Sequence, residues 1–388
     1  MSIPITPIRR VVTGINAQGR SKVTWDGPAP NANEAALASR TNNTNIWVWD
    51  SPKLALNGDR DEGDTPYEFP GPKSGGHVRV VETLARVDNY DPATDPDIHP
   101  VHEPTPRPSG RSWDRGAKNS YSSGMHKTAS LDFGIMLSGE REMILDDGPL
   151  LMQPGDIAIQ LGSWHNWSSP RGCIMAFDMM DAHFIDGAPG LLQGTDSMVA
   201  PDLSFEIPDG VKRSRRIVAG DNMPGRSTLL ADTVVPDIRL DPARPGFAAE
   251  RLWVSNKTPA NIVRESLHFP HTIEPPSNGT LCRIYTIPPD ENWSGKVGKV
   301  EVEAYFRAMG SPGASTFSLD APHPFMQKTQ SMDFCFVLEG QVTLVLDEEA
   351  VHLKSGDMVI QRGTNHAWSN ASPNPCRIAV SSHDGAYY

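Results

Sequence analysis

The chain has 388 residues and a formal net charge of −12, with 33 glycines and 35 prolines spread along it. This length predicts two domains, each large enough to bury its own core. The acidic charge argues against a nucleic-acid partner, and no run approaches the ~20 apolar residues of a membrane span. The N-terminal residues lack the apolar core of a secretion signal, so we expect a cytoplasmic protein with reduced cysteines.

An internal repeat organises the chain. Residues 9–14 (RRVVTG) recur about 200 residues later as residues 215–220 (RRIVAG). Longer matches follow in the same order, namely residues 127–133 (KTASLDF) with 328–334 (KTQSMDF), and residues 160–168 (QLGSWHNWS) with 361–369 (QRGTNHAWS). So many matches in one register indicate a tandem duplication.

The repeat sets the predicted domain boundaries. We expect an N-terminal repeat over residues 1–186, a linker over 187–212 and a C-terminal repeat over 213–388. Gly, Pro and Asp gather in the linker, where neither repeat has a match. Within the first repeat, residues 91–111 are rich in Pro and Asp and lack periodicity, which predicts a long surface loop or lid.

Each repeat is expected to be all-β. Residues 334–338 (FCFVL) end at a Glu-Gly turn, and residues 342–346 (VTLVL) follow as the next apolar run. Short β-rich runs at roughly ten-residue spacing are typical of a sandwich or jelly roll. The exception is residues 299–309, which could form one short helix.

The repeated motifs resemble those of the cupin superfamily. Its first motif reads His-x-His, then Glu, then Gly six residues further on, and its second motif runs from a Gly to a His. In the first repeat His126 and Thr128 fall on the two His positions, Asp132 on the Glu and His165 on the closing His. The resemblance implies two jelly-roll β-barrels in one chain, paired with each other, with a possible further homodimer.

The second repeat departs further from the family's motifs. Gln327 and Thr329 stand at the two His positions, while Asp333 and His366 match Asp132 and His165. Repeat 2 is therefore the better candidate for a scaffold. Its pocket residues would be Asp333, His366, Thr329 and Ser331.

A metal is one way in which the first repeat could act. Family members usually hold a metal with three His and one Glu. His126, Asp132 and His165 would supply two imidazoles and one carboxylate, the set that binds non-haem Fe(II), and Zn, Ni or Mn would also be acceptable. Aspartate is one methylene shorter than glutamate, which limits its reach. On this hypothesis the protein is a dioxygenase.

A metal-free acid/base site is the hypothesis we favour. Asp132 and His165 inside an apolar barrel would form a proton-transfer pair, with His126 assisting. Thr128 and Ser130 alternate with Asp132 on one strand face, which would give a polar floor for an oxygenated ligand.

Other residues near the motifs allow two interpretations each. Trp164 and Trp167 could form an aromatic wall for a planar substrate or could simply pack in the core. In a purely structural interpretation, His165 and His366 would satisfy backbone carbonyls. Asp132 and Asp333 would then bind a strand neighbour or the lysines Lys127 and Lys328. Arg79 and Arg283 also correspond between the repeats and could anchor a carboxylate, although we expect a surface salt bridge.

The predicted function is an enzyme acting on a small oxygenated metabolite. An aromatic or polyketide-like compound is one candidate class of substrate. The reaction would be a dehydration, decarboxylation or isomerisation. The alternatives are the Fe(II) dioxygenase and a small-molecule binding protein without turnover.

Overall fold

The computed structural model describes residues 5–38, 40–66, 68–184 and 197–388. Within these ranges the chain is almost entirely β, which confirms the predicted fold class. Residues 187–196 of the predicted linker lie outside the described residues, as do residues 185–186 at the end of the predicted first domain. Among the described residues, no helix is both long and apolar enough to cross a bilayer.

The first half contains fifteen strands in the described residues. They are β1 (Arg9–Ile15), β2 (Ser21–Pro28), β3 (Asn31–Ala38), β4 (Thr41–Trp49), β5 (Leu54–Ala55), β6 (Gly76–Thr83), β7 (Thr105–Pro106), β8 (Ser112–Asp114), β9 (His126–Thr128), β10 (Ser130–Gly139), β11 (Arg141–Leu145), β12 (Gly148–Met152), β13 (Ile157–Leu161), β14 (Asn166–Ser168) and β15 (Cys173–His183).

The second half adds twelve strands and a helix in the described residues. They are β16 (Arg215–Met223), β17 (Arg226–Val234), β18 (Asp237–Leu240), β19 (Ala248–Ser255), β20 (Ala260–Asn261), β21 (Thr280–Ile287), α1 (Lys299–Ala308), β22 (Ser331–Glu339), β23 (Gln341–Val345), β24 (Ala350–Lys354), β25 (Met358–Arg362), β26 (Ala367–Ser369) and β27 (Cys376–Ala386). Single 3-10 turns occur at Glu62–Asp64, Pro92–Thr94, Asp290–Asn292 and Pro312–Ala314. The helix lies where the sequence predicted it.

Each repeat forms a barrel from one large sheet and one three-stranded sheet. The first barrel has the order β17-β16-β13-β10-β15-β6-β4-β3, facing β12-β11-β14. The second has β18-β19-β21-β27-β22-β25-β1-β2, facing β24-β23-β26. The central strands β10, β13 and β15 therefore correspond to β22, β25 and β27. This equivalence repeats in three dimensions the duplication seen in the sequence.

The two repeats exchange their first hairpins. The β1–β2 hairpin of repeat 1 lies on the second barrel, because β1 pairs in parallel with β25 from Arg10↔Met358 to Val12↔Ile360. The β16–β17 hairpin of repeat 2 lies on the first barrel, where β16 pairs in parallel with β13. Each large sheet is therefore built from both repeats.

Alternation along β10 positions the site. Its odd-numbered residues from Leu131 to Leu137 lie in an apolar cluster that also holds Phe334 and Phe336 of β22, so this face packs between the barrels. Successive residues of a strand point to opposite faces. Asp132 and Met136 therefore face the interior of the first barrel, where Met136 joins a separate apolar cluster.

A buried ion pair ties the exchanged hairpin to the first barrel. The ammonium of Lys127 on β9 contacts the Asp221 carboxylate on β16, and both side chains are fully buried. A second buried pair joins Arg216 on β16 to Glu265, with 2.8 Å between Nη2 and Oε1. Removing one partner of such a pair leaves an uncompensated charge in the interior.

We expect Lys127→Met to destabilise the protein by about 3–5 kcal/mol, because Asp221 would be left buried and charged. The measurement is chemical unfolding at neutral pH. The double variant Lys127→Met/Asp221→Asn should recover part of the loss, since the amide is neutral and can still accept from the Trp164 backbone N–H.

Arg171→Met is the matched control, because the Arg171 side chain is 76% exposed and pairs with Glu140 at the surface. Surface pairs contribute only about 0–1 kcal/mol. Equal losses in Lys127→Met and Arg171→Met would contradict a stabilising role for the buried pair.

Candidate active site

The first barrel encloses a cavity of about 190 Å³. Strands β6, β10, β13 and β15 of the large sheet form one wall, and β11 and β14 of the small sheet form the other. Residues 118–123, before β9, line the mouth together with Arg107 from the end of the 91–111 loop. The cavity therefore lies between the two sheets of the barrel.

Most of the predicted site residues of repeat 1 meet in this cavity. The residues that line it are His126, Thr128, Asp132, His165 and Trp167. Ser130 is buried on the same strand as Asp132 but is not among the lining residues. Trp164 is fully buried elsewhere, with the Arg115 guanidinium 4.7 Å from its ring centre.

His126 and His165 form a cross-strand pair. Each backbone N–H donates to the other residue's carbonyl at 2.9 Å, and the ring centres lie 4.3 Å apart. The Nδ1 atom of His126 is 2.9 Å from the Gly124 carbonyl, and Nδ1 of His165 is 2.9 Å from the Ser163 carbonyl. A carbonyl can only accept, so both Nδ1 atoms carry the proton and both Nε2 atoms are left as acceptors.

Burial keeps both imidazoles neutral at physiological pH. It lowers the pKa of His126 to about 4, and nearby arginine charges act in the same direction. Burial, with the adjacent His126, also lowers the pKa of His165 well below its ordinary value. The charged form of a base is disfavoured in a low-dielectric site.

The pKa of Asp132 shifts upward, and burial is again the main cause. Burial raises the pKa of its carboxyl to about 7, although the nearby Ser130 hydroxyl and Arg79 guanidinium act to lower it. Its Oδ1 atom is buried and has no hydrogen-bond partner in the structure. Lys127 binds Asp221 and not Asp132, which removes one purely structural interpretation of this carboxyl.

Sequence reasoning missed several residues of the cavity. Gln160 pairs with Asp132 across the strands, and both polar atoms of its buried amide lack a hydrogen-bond partner in the structure. Arg79 is buried and lies over the rings of Phe69 and Phe177, at 5.1 and 5.5 Å from their centres. Arg79 is therefore not at the surface, where we expected it. The sequence did not point to Arg141 either, which lies on β11 and lines the cavity.

The residues that could hold a metal do not form a complete ligand set. The two Nε2 atoms of His126 and His165 are suitable imidazole donors, since second-shell carbonyls fix their Nδ1 protons. No group of three or more His, Cys, Asp or Glu within the described ranges is placed to bind a metal ion. Asp132 lines the same cavity but is not placed as a third ligand. We therefore derive no step through a metal.

The second barrel is filled where the first is open. Its cavity is about 30 Å³, and the Arg244 guanidinium packs 3.6 Å from the ring centre of Phe325 and 4.3 Å from that of Tyr305 on α1. Arg244 is neutralised by Asp241, 2.6 Å from its Nε.

The polar residues of repeat 2 satisfy one another. The Thr329 and Ser331 hydroxyls are 2.8 Å apart, and Ser331 donates to Asp333 at 2.8 Å. His366 contacts Gln327 at 3.3 Å. In repeat 1 the corresponding oxygens of Thr128, Ser130 and Asp132 Oδ1 are buried without such partners.

The raised pKa of Asp132 predicts a pH dependence of stability. The folded chain holds this proton up to about pH 7, whereas the unfolded carboxyl releases it near 3.8. The contribution to stability is therefore complete below about pH 4 and is lost as the pH rises to about 7, by at most ~1.4 kcal/mol per pH unit. In Asp132→Asn this fall should be absent, as measured by the difference in unfolding free energy from the wild type between pH 4 and 8.

Asp202→Asn is the control for this experiment. Hydrogen bonds from Ser204 lower the pKa of the exposed Asp202 carboxyl, so it stays ionised across the whole window. A wild-type-like pH profile for Asp132→Asn would show that folding does not raise the pKa of this carboxyl.

Comparison with known proteins identifies a family of domains that matches part of the second repeat. The profile described as "Cupin domain" (Cupin_2) matches residues 319–382 in the second repeat. The chain is 44% identical over 66 residues to "Phomopsin biosynthesis cluster protein C'" of Diaporthe leptostromiformis, covering 16% of this chain and 35% of that protein. It is 43% identical over 49 residues to "Cupin-domain-containing oxidoreductase virC" of Hypocrea virens, covering 12% and 25%.

The similarity thus spans about a third of the phomopsin cluster protein and a quarter of virC. Among solved structures, the chain is similar to GK1651 from Geobacillus kaustophilus, with a TM-score of 0.38 and 11% sequence identity. The similarity covers 99% of this chain and 98% of that one. The domain match identifies a cupin domain at residues 319–382 of the second repeat, and the relative virC is itself named as a cupin-domain protein.

Proposed function

We propose that the first barrel is the active site of an enzyme that performs proton-transfer chemistry on a small oxygenated metabolite. The observation that carries the proposal is the buried Asp132 carboxyl. It lines an open cavity with two imidazoles, and its Oδ1 has no hydrogen-bond partner in the structure. Burying an unsatisfied polar atom costs free energy, which a bound ligand would offset.

The proton chemistry follows from the protonation states. With a pKa of about 7, Asp132 can both donate and accept a proton near neutral pH. The neutral His126 and His165 present Nε2 acceptors that can orient a substrate hydroxyl or take its proton. Dehydration, decarboxylation and isomerisation all need such a group. Thr128 supplies a hydroxyl for an oxygenated substituent.

The walls of the cavity favour a planar substrate. Trp167 and Phe177 lie edge to face with ring centres 5.4 Å apart, and Phe69 lines the same space. Aromatic side chains stack on rings and conjugated systems. The name of one relative, a phomopsin biosynthesis cluster protein, supports a role in secondary metabolism. An aromatic or polyketide-like intermediate of secondary metabolism is the substrate class we propose.

We expect Asp132→Asn and His165→Ala to abolish turnover, because the first removes the titrating carboxyl and the second removes an acceptor. The measurement is mass spectrometry of a small-molecule extract of the source organism, incubated with each purified variant. Substrate depletion should fall by at least ~100-fold, the lower range for loss of a general acid or base.

Asp333→Asn and His366→Ala are matched controls in the filled second barrel and should leave turnover unchanged. Loss of turnover in these two variants, with retention in the first pair, would reverse the roles of the barrels. If no variant or wild-type sample changes any metabolite while the wild type retains one selectively, the protein is a binding protein.

Oxidation is a second candidate, favoured by the printed name of the relative virC as an oxidoreductase. It would use non-haem Fe(II) held by His126 and His165, and Asp132 would have to move to complete the ligand set. We expect elemental analysis to find less than 0.1 equivalent of metal per chain, and turnover to persist without O₂. One equivalent that is lost in His126→Ala, together with O₂ dependence, would establish the dioxygenase instead.

A further inference from the structure

The most unusual group in the first barrel is the guanidinium of Arg141. This side chain is 5% exposed and lines the cavity, and its Nε and Nη1 atoms are buried without a hydrogen-bond partner in the structure. No Asp or Glu among the described residues lies within ion-pair distance of it, whereas the buried Arg216 and Arg244 each pair with a carboxylate. The Cys173 side chain is close enough to interact with the guanidinium, so Arg141 is a buried cation beside a cysteine and without a carboxylate partner in the described structure.

The surroundings of Arg141 hold its planar group at the cavity wall. Its guanidinium carbon is 4.8 Å from the ring centre of Trp167 and 5.4 Å from that of Phe177. Aromatic faces favour a nearby cation but supply no hydrogen-bond acceptor in the plane of the guanidinium. Arg79 lines the same cavity and lies over Phe177 from another strand.

Cationic side chains outnumber carboxylates in the lining of the cavity. Five of the lining residues are cationic, namely Arg40, Arg79, Arg107, Lys118 and Arg141, and Asp132 is the one carboxylate among those that line it in the described structure. Some of these cations have partners of their own, such as Asp114 for Arg107 at 2.7 Å. The Asp132 carboxyl is partly protonated near neutral pH and forms no ion pair with Arg141 in the described structure.

The second repeat shows what the fold itself requires at this position. Since Gly139 corresponds to Gly340, Arg141 corresponds to Val342, which is buried in the apolar core of the second barrel. A valine at this position is therefore compatible with the barrel fold. Burying a cation without a carboxylate partner costs free energy. Because the open barrel has Arg141 where the filled barrel has a valine, we expect an anion from outside the chain to pair with Arg141.

We propose that Arg141, with Arg79 beside it, binds the carboxylate of an aromatic carboxylic acid in the first barrel. The inference rests on the proposed function only in taking this cavity as the substrate site. The guanidinium fork would donate hydrogen bonds to the two carboxylate oxygens, and the ring of the acid would lie among Phe69, Trp167 and Phe177. The substrate class is thereby narrowed from oxygenated metabolites to aromatic acids.

The test is a binding experiment with benzoate as the probe and benzamide as its neutral analogue. Trp167 lines the cavity, so tryptophan fluorescence should report binding. We expect the wild type to bind benzoate at least tenfold more tightly than benzamide. In Arg141→Val, which copies the second repeat, that preference should disappear, and in Arg141→Lys it should be reduced.

Arg171→Val is the matched control, because it makes the same change at an exposed arginine and should keep the preference for benzoate. Equal affinity of the wild type for the two probes would overturn the proposal, as would an unchanged preference in Arg141→Val. Should Arg141→Val fail to fold, Arg141 is structural and the proposal fails, since we expect this variant to be at least as thermally stable as the wild type.

The same measurement separates this inference from the catalytic proposal. Asp132→Asn should keep the preference for benzoate while losing turnover. Benzoate selectivity without any turnover would support the anion site and contradict the proposed catalysis. Turnover without benzoate selectivity would support the catalysis and contradict the anion site.

Discussion

The architecture depends on the two-sided burial of β10 and β22. One face of each strand packs into the apolar cluster between the barrels, where Phe133 and Phe334 lie, and the other face lines the interior of its own barrel. The period of two leaves no choice of register, because a shift by one residue would put Asp132 into the apolar interface and Phe133 into the cavity. The interface between the repeats therefore fixes the chemistry inside the first one.

The exchanged hairpins strengthen this dependence. Since β16 continues the sheet beyond β13, the cavity wall of repeat 1 is supported by a strand of repeat 2, and Lys127 next to the site is neutralised by Asp221 on that strand. The large sheets are also linked by His383 and Asp178, with 2.7 Å between Nε2 and Oδ2 in the buried interface. Neither barrel has a complete set of strands from its own repeat.

Much of this arrangement could be predicted from the sequence, for physical reasons. Matching motifs revealed the duplication, and the strand period placed Thr128 and Asp132 on one face. The site residues His126 and His165 were found because they lie at fixed motif positions. The hairpin exchange could not be predicted, because a strand that pairs with its own barrel or with the neighbouring one has the same apolar pattern.

The arginines were missed because composition alone gives no sign of their burial. An arginine on a strand is exposed in most proteins, and Arg141 follows a turn glycine, where a polar residue is expected. One signal was present in the sequence. The two repeats differ at this position, Arg141 against Val342, and an apolar residue in one copy indicates that the position faces an interior in both. Comparing repeats for such charge-to-apolar differences would have found the cation.

The difference between the copies also explains how the fold tolerates the buried, unpaired polar groups of the first barrel. Buried polar groups without partners, such as Asp132 Oδ1 and Gln160, lower the stability of the barrel that contains them. In the second barrel Ser331 donates to Asp333, and aromatic rings pack around Arg244. Because each large sheet contains strands of both repeats, the well-packed copy holds the strained copy in place. A duplicated barrel can thus keep a pre-organised, costly cavity in one half while the other half supplies stability.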